Sequence, residues 1–265
     1  MRSASLRLGS TRGRNPRNGF HALDHPSLPQ GQLVYAIGDI HDRADLLVSL
    51  LEQIEADAAG SVGVDRRTLV FVGDYIDRGP DSRRVVELLL GALPRGFEAH
   101  FLKGNHEAIM LDFLRDPSCL GQWLANGAAT TLESYGVEVA GLVRAGAEPE
   151  IWQMAFLDVL PEKHRRFFDQ LELMVALGDY LFVHAGVRPG VPLDAQNPRD
   201  LVWIRGEFLR SRENFGKVVV HGHTPTAVAE MHENRIGVDT GAFFTNRLTA
   251  LRLQDGSRRL LRTEE

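Results

Sequence analysis

The sequence has 265 residues, of which 43% are hydrophobic and 25% are charged, as is typical of a globular protein with a large core. The formal net charge of −5 argues against a general nucleic-acid-binding protein. The single cysteine, Cys119, excludes an internal disulfide, and no apolar stretch approaches the length of a membrane span. These features predict a cytoplasmic protein without a membrane partner.

The beginning of the chain differs in composition from the rest. Residues 1–20 contain five arginines and no acidic residue, and they lack the apolar segment of a secretory signal. A charged segment with so few apolar residues is usually disordered. We therefore predict a disordered basic arm over residues 1–30 and a single domain over residues 31–265.

Short apolar runs bounded by glycine predict the strands of an α/β fold. Helical spacing of apolar residues at 44–58 and 83–93 separates the first three runs, which predicts βαβ units with right-handed crossovers. The predicted strands lie at residues 33–39, 68–74, 98–105, 180–186 and 217–223.

The remaining segments predict an insertion and a C-terminal strand pair. Residues 108–176 have helical patterns that are broken by Gly146 and Pro161, which predicts a helical cap inserted between two strands. Residues 234–244 and 246–254 have strand character, and we expect them to pair with each other in antiparallel fashion.

Polar side chains follow every predicted strand at the point where the strand ends. In open α/β sheets, ligands bind outside the carboxyl ends of the strands, so these side chains are expected to converge. Carboxylates and imidazoles that are buried together stay unsatisfied unless a cation joins them. The residues are Asp39, His41, Asp74, Asp77, Arg78, Asn105, His106, Glu107, His184, His221 and His223.

The donor types in this cluster indicate divalent metal ions. Carboxylate, amide oxygen and imidazole without thiolate suit Mn²⁺, Fe²⁺ or Zn²⁺, and we favour Mn²⁺. The potential ligands are too many for one ion, so the sequence predicts a site for two divalent metal ions that share one carboxylate. A pair of ions of this kind can hold the attacking and leaving oxygens in the hydrolysis of a phosphate ester.

Several motifs, taken in order, resemble a known family. The blocks GDIHD (38–42), GDYIDRGP (73–80), GNHE (104–107), HAG (184–186) and GHTP (222–225) resemble those of calcineurin-like metallophosphoesterases. GDYIDRG with GNHE resembles the phosphoprotein-phosphatase branch, which includes the serine/threonine protein phosphatases. NGAATTLESYG (126–136) and VDTGA (238–242) resemble blocks of its bacterial and phage-type members. The resemblance implies an α/β fold, a four-layer αββα sandwich with a helical cap insertion, and it departs at Asp42, where glycine is commoner.

The resemblance also implies roles for individual residues. Asp77 and His106 would form the acid pair that protonates the leaving group, while a metal-bridging hydroxide attacks phosphorus. Arg78 and Arg205, with Asn105 and His106, would bind the phosphate, and Arg188 is a reserve for Arg205. The implied metal ligands are Asp39, His41, Asp74, Asn105, His184 and His223, with Asp74 as the bridge.

Other residues in the motifs and their surroundings have less direct interpretations. We expect Glu107 to orient its neighbours, His221 to support a ligand or pack in the core, and Asp239 to orient a ligand histidine or close a turn. A structural role is expected for Cys119, which has no base near it in the sequence. Trp123, Trp152 and Trp203 are expected in core or cap packing, with substrate stacking by one of them as the alternative.

The implied activity is that of a dinuclear metal-dependent phosphomonoesterase. The resemblance favours a protein phosphatase that acts on phosphoserine or phosphothreonine in a protein or peptide, with phosphotyrosine left open. The first alternative is a hydrolase of symmetrical dinucleoside polyphosphates or of another nucleotide anhydride, since a metal site recognises only phosphorus and its oxygens. A catalytically idle binding module on the same fold is the remote alternative.

Overall fold

The computed structural model describes residues 25–263. Residues 1–24, most of the predicted basic arm, lie outside the described residues, so the arm's disorder and the division of the chain stay predictions. The strands, in chain order, are β1 (Gln32–Ile37), β2 (Arg66–Phe71), β3 (Phe97–Phe101), β4 (Met174–Leu177), β5 (Tyr180–Val183), β6 (Val218–His221), β7 (Glu230–Met231), β8 (Arg235–Gly237), β9 (Thr249–Gln254) and β10 (Ser257–Arg262).

Helices connect most of the strands, and the longest run of them lies between β3 and β4. No helix within residues 25–263 is long and apolar enough to cross a membrane. The α-helices are α1 (Ala44–Ala59), α2 (Ser82–Gly91), α3 (Asn105–Arg115), α4 (Leu120–Leu124), α5 (Ala128–Tyr135), α6 (Val139–Ala145), α7 (Pro149–Val159), α8 (Glu162–Asp169), α9 (Pro198–Trp203), α10 (Gly206–Arg210) and α11 (Ala242–Thr245).

The strands form two five-stranded mixed sheets. Sheet 1 has the order β10-β9-β1-β2-β3, in which β1, β2 and β3 are parallel and β9 and β10 are antiparallel to their neighbours. Sheet 2 has the order β4-β5-β6-β8-β7, in which β5, β6 and β8 are parallel and the two edge strands are antiparallel. Successive parallel strands of each sheet therefore end at the same edge.

Alternating strand residues build separate cores on the two faces of each sheet. Val34 of β1 and Phe182 of β5 belong to the core between the sheets. Their neighbours in sequence point the other way: Tyr35 packs with the helices over sheet 1, and Leu181 packs with Phe208 of α10 over sheet 2. Because strand side chains alternate between faces, both sheets are covered on both sides. The predicted αββα sandwich is confirmed.

The helices between β3 and β4 belong to the layer over sheet 1. Phe113, Trp123 and Phe156, from α3, α4 and α7, share one core with Leu33 and Tyr35 of β1. This segment therefore packs directly on the sheet through its own apolar side chains, and its first helix begins at Asn105. The bounds 108–176 for a separate cap stay a prediction.

The predicted pairing of the two C-terminal segments is wrong. β8 lies in sheet 2 beside β6 and β7, whereas β9 lies in sheet 1 between β1 and β10. The antiparallel partner of β9 is β10, and residues Asp255 and Gly256 connect the two strands, with a φ of 49° at Asp255. Asp-Gly between two strand segments is a hairpin signal, and it favours β9 with β10 over β8 with β9.

Burial of His164 in α8 predicts a pH dependence of stability. Its side chain is inaccessible to solvent, Nδ1 lies 2.9 Å from Tyr135 Oη, and burial lowers the pKa from 6.5 to about 4. A lowered pKa contributes stability above pH 6.5 that is lost as the pH falls toward 4. Between pH 7.5 and 5, His164→Gln should therefore lose about 2 kcal/mol less of its free energy of unfolding than the wild type.

Urea unfolding of chelator-treated protein at the two pH values measures this difference. His232→Gln, at the surface beside Glu230, is the matched control for loss of a histidine. Parallel pH profiles for wild type and His164→Gln would contradict the prediction.

Candidate dinuclear metal centre and active site

The predicted site residues converge where the parallel strands end. All six predicted metal ligands are buried, with exposed fractions of 4% or less. Asp39 and His41 follow β1, Asp74 follows β2, Asn105 opens α3 after β3, His184 follows β5, and His223 follows β6. The structure thus brings together residues from both sheets that are up to 184 positions apart in the sequence.

The loops that carry these residues have an unusual backbone. Positive φ is uncommon for residues other than glycine, and it clusters at functional sites where surrounding structure maintains the strain. Eight non-glycine residues within 25–263 have positive φ, and six of them lie here: His41, Asp42, Asp74, Asp77, Arg78 and His223. Glycine at 104 allows close approach of the backbone, because a Cβ there would collide with Asp74 Oδ1.

Asp74 joins two groups of potential ligand atoms. One group is His41, Asp74 and His106, the other is Asp74, His184 and His223, and the ligand atoms of each lie within 4.8 Å of one another. Asp74 Oδ2 is 3.5 Å from His41 Nε2, and Asp74 Oδ1 is 3.4 Å from His184 Nε2. The two oxygens of one carboxylate therefore face two different groups, as those of a bridging ligand do.

The histidine tautomers are set for metal binding. His41 Nδ1 is 2.9 Å from the carbonyl of Ile76, and His184 Nδ1 is 2.8 Å from the carbonyl of Val72. Donation from each Nδ1 leaves the Nε2 lone pair directed into the centre. His184 Nε2 lies 3.0 Å from Asn105 Oδ1, so two acceptor atoms face each other at the separation of neighbouring ligands on one ion.

Other buried polar atoms at the centre have no hydrogen-bond partner. Among the described residues these include Asp39 Oδ1 and both ring nitrogens of His223. Asp39 Oδ2 accepts a hydrogen bond of 2.9 Å from the backbone N–H of His223, which holds the two residues together. Buried polar atoms without partners are costly, and divalent cations would satisfy them. The residues present thus fit two divalent metal ions.

The charge states of these groups also fit cations. Burial lowers the pKa of His41 to about 3 and that of His223 to about 2, which keeps both imidazoles neutral, as ligation requires. Burial and the nearby Asp239 and Asp74 carboxylates raise the pKa of Asp39 well above its ordinary range. Burial alone would raise the pKa of Asp74 as well, but the positive charge that His184, His106 and the other imidazoles acquire in acid outweighs burial and holds the pKa of Asp74 low.

His106 and Asp77 form a buried pair beside the metal centre. His106 Nδ1 is 2.7 Å from Asp77 Oδ2, and His106 Nε2 faces Asp74 Oδ2 at 3.9 Å without a hydrogen-bond partner. Burial favours neutral imidazole, but the Asp74 and Asp77 carboxylates outweigh it, so the pKa of His106 is raised. The pair can therefore present an N–H toward the centre.

Arg78 and Arg205 lie at the edge of the site. Arg78 Nη1 is 3.2 Å from His41 Nε2, and its guanidinium carbon is 5.1 Å from the ring centroid of Phe243. Arg205 Nη1 is 3.4 Å from Thr224 Oγ1, in the residue after His223. Both side chains are solvent-accessible, and their binding of phosphate stays a prediction.

Arg188 does not have this freedom. Its guanidinium forms hydrogen bonds of 2.6 and 2.7 Å with the carboxylate of Asp200 and a further ion pair with Glu207. These pairs raise the pKa of Arg188 and hold its guanidinium away from a ligand. The geometry therefore favours Arg205 over Arg188 as the second phosphate-binding arginine.

Glu107 and Asp239 support the loops of the site. The Glu107 carboxylate accepts hydrogen bonds of 3.0, 2.8 and 2.9 Å from the backbone N–H groups of Asp74, Tyr75 and Gly104. It thereby fixes the loop that carries Asp74. Asp239 accepts a hydrogen bond of 2.9 Å from the N–H of Gly241 and so closes a turn.

His221 lies apart from the ligand groups. Its Nδ1 is 3.0 Å from the carbonyl of Gly222, and its ring packs edge-on against Phe208, with centroids 5.0 Å apart. Burial lowers the pKa of His221 to about 4, as expected for a neutral core histidine.

The sequence did not reveal the residues that hold Asp77. Trp123 Nε1 donates to both carboxylate oxygens of Asp77, at 3.2 and 3.0 Å, and Thr131 Oγ1 donates to Oδ1 at 2.5 Å. Thr131 Oγ1 is 2.8 Å from Ser82 Oγ, which also contacts the buried carboxylate of Asp42. We expected packing from Trp123, with substrate stacking as the alternative. The resemblance included residues 126–136, and thus Thr131, but assigned them no contact with Asp77.

Comparison with known proteins agrees with this geometry. The calcineurin-like phosphoesterase family matches residues 33–244. The chain belongs to this family. A bis(5'-nucleosyl)-tetraphosphatase PrpE [asymmetrical] from Bacillus thuringiensis is 28% identical over 234 residues, which are 82% of this chain and 88% of that protein.

Solved structures resemble the fold at lower sequence identity. A protein provisionally described as a diadenosine tetraphosphatase has a TM-score of 0.62 and 22% identity over 89% of this chain and 95% of that chain. A protein serine/threonine phosphatase from Saccharomyces cerevisiae has a TM-score of 0.53 and 16% identity over 91% of this chain and 84% of that chain. At these identities the likeness shows the fold alone, and the roles of the individual residues stay predictions.

Proposed function

We propose that the protein hydrolyses phosphoric esters or anhydrides at a site that holds two divalent metal ions, with Mn²⁺ favoured. The observation that carries this proposal is the position of the Asp74 carboxylate, which belongs to both groups of potential ligands. Bound divalent ions at such a site lower the pKa of a water molecule and neutralise charge on the phosphate.

The chain supplies the remaining functions through its own side chains. His106 donates a proton from Nε2 to the leaving oxygen, because Asp77 at Nδ1 fixes its tautomer and orientation. Arg78 and Arg205 bind the phosphate oxygens as planar forks at the edge of the site. Asn105 Oδ1 lies 3.0 Å from His184 Nε2, and in this proposal the Asn105 amide contacts both a metal ion and the phosphate.

Two substrate classes compete for this site. We propose a dinucleoside polyphosphate as the first candidate, because a relative that aligns with 82% of this chain carries that activity in its name. That name specifies asymmetrical cleavage, whereas the sequence suggested a symmetrical one, and the proposal is limited to the substrate class. A phosphorylated protein is the second candidate, supported by the likeness of GDYIDRG and GNHE to the phosphoprotein-phosphatase branch.

A comparison of substrates decides between them. With Mn²⁺ present, we expect kcat/KM for diadenosine tetraphosphate to exceed that for phosphoseryl, phosphothreonyl and phosphotyrosyl peptides by at least about tenfold, which is about 1.4 kcal/mol of discrimination. p-Nitrophenyl phosphate serves as the common reference for the metal centre. A higher kcat/KM for any phosphopeptide would favour the phosphatase, and no turnover of any substrate would indicate an idle binding module.

A further inference from the structure

A groove adjoins the metal centre between α3, α4 and α9. Its volume is about 600 Å³, and buried Leu111 and Val202 with half-buried Trp203 form its apolar floor. The Trp203 ring stands perpendicular to that of His223, with centroids 6.1 Å apart. Lys103, two residues before Asn105, also lines the groove. The groove is thus connected to the proposed metal centre through the contact between Trp203 and His223.

The rim of the groove carries excess positive charge. Lys103, Arg115 and Arg199 line it, and the one acidic lining residue is Asp112, which pairs with Arg115 at 3.3 Å. Within residues 25–263, neither Lys103 nor Arg199 forms an ion pair. The Asp200 carboxylate interacts with Arg199 but forms its ion pair with Arg188. Two cations that form no ion pair of their own, beside an apolar floor, suit a ligand that is both anionic and flat.

We propose that this groove binds the nucleotide that continues beyond the phosphate held at the metal centre. Lys103 and Arg199 would contact its phosphates, and the base would lie on Trp203 and the aliphatic floor. This inference rests on the proposed function and assigns a specific binding surface to the nucleotide candidate. A phosphoseryl or phosphothreonyl peptide has neither a second phosphate at a fixed distance nor an obligatory flat ring, and a phosphotyrosyl peptide lacks the second phosphate, so phosphopeptides use these features less well.

Removing the two unpaired cations tests the groove. Lys103→Ala/Arg199→Ala should raise KM for diadenosine tetraphosphate about tenfold, since each exposed charge pair contributes up to about 1 kcal/mol. The same variant should change kcat/KM for p-nitrophenyl phosphate less than about twofold, because that substrate does not extend into the groove. Arg165→Ala, an exposed arginine on α8, is the matched control and should change neither value.

The outcomes separate this inference from the proposed function. Absence of activity in the wild-type protein on every substrate would contradict the proposed function itself. Wild-type activity on diadenosine tetraphosphate with an unchanged KM in the double variant would overturn the groove alone. An equal loss on p-nitrophenyl phosphate would also overturn it, since the effect would then lie at the metal centre. A selective loss on phosphopeptides would show that the groove binds a peptide.

A second inference concerns Asp42, the residue after the proposed ligand His41. Its carboxylate is inaccessible to solvent, and its φ is 65°, a conformation in which glycine would be relaxed. Asp42 contacts Ser82 Oγ, which is 2.8 Å from Thr131 Oγ1, which donates to Asp77. A strained, buried carboxylate thus connects to the acid pair through two hydroxyl groups.

We infer that Asp42 is a positioning residue that acts on His106 through Ser82, Thr131 and Asp77. Asp42 fixes the Ser82 hydroxyl, which is in contact with Thr131, and the Thr131 hydroxyl holds the Asp77 oxygen that lies opposite the one contacting His106. Replacement by glycine would relieve backbone strain and remove only the side chain. Asp42→Gly is therefore expected to fold while the Asp77 carboxylate loses part of its support.

The dependence on the leaving group tests this role. Asp42→Gly should lower kcat about tenfold for phenyl phosphate, because the leaving group of this substrate needs a proton. A general acid contributes about 10²–10⁴-fold, and the variant is expected to lose only a part of that contribution. It should lower kcat less than about twofold for p-nitrophenyl phosphate, whose leaving group departs as an anion. KM should not change, Asp42→Asn should restore most of the loss, and Ser82→Ala should reproduce the pattern. Equal losses on both substrates would overturn the positioning role.

Discussion

Replacing His106 by asparagine should lower kcat by about 10²–10⁴-fold, the usual contribution of a general acid, while the protein still binds close to two metal ions. In the wild type, His106 Nδ1 is 2.7 Å from Asp77 Oδ2. The asparagine amide keeps a donor toward this oxygen, but it cannot give a proton to the leaving oxygen. Steady-state kinetics with phenyl phosphate measure the loss, and elemental analysis of the dialysed protein measures the metal content.

Two measurements make the role of His106 falsifiable. The loss should be much smaller with p-nitrophenyl phosphate, because its leaving group does not require protonation. Retention of most activity on phenyl phosphate would remove His106 from proton transfer. His106 Nε2 also lies within reach of His41 and Asp74, so loss of a metal ion from His106→Asn would identify it as a ligand.

Replacing Asp74 by asparagine should remove at least one of the two metal ions. One carboxylate faces both ligand groups, at 3.5 Å from His41 Nε2 and 3.4 Å from His184 Nε2, and asparagine would offer one oxygen and no charge. The site would then keep its neutral imidazole ligands but lose the Asp74 carboxylate, whose negative charge offsets the positive charge of both metal ions. We expect the metal content after dialysis against Mn²⁺ and removal of free ion to fall from near two to one or less.

A matched substitution controls for the removal of a carboxylate. Asp158→Asn, at an exposed position of α7, should bind two ions as the wild type does. Two tightly held ions in Asp74→Asn would contradict a bridging role for Asp74.

The convergence of the site could be predicted from the sequence because its signals are local. Each of Asp39, Asp74 and His184 follows a short apolar run, and the ends of parallel strands meet at one edge of a sheet. The motifs shared with the family, taken in their order along the chain, then implied a role for each residue. Strand and helix periodicity gave the βαβ units, because each needs only a short segment, whereas the αββα sandwich was implied by the family resemblance.

Long-range features could not be predicted in this way. Trp123 and Thr131 approach Asp77 from 46 and 54 residues away, and no periodicity reports that contact. The pairing of β9 with β1 and β10 rather than with β8 depends on which sheet each strand joins. The resemblance had already placed Arg205 before Arg188, but the physical reason, the ion pair between Arg188 and Asp200, is visible only in the structure.

Anomalous diffraction from crystals of the Mn²⁺-loaded protein would test the central claim most directly. Two manganese peaks should lie roughly 3.5–4 Å apart, one on each side of the Asp74 carboxylate. One peak should be near His41 and the other near His184 and His223. A single peak, or two peaks that do not share Asp74 as a ligand, would contradict the proposed dinuclear centre.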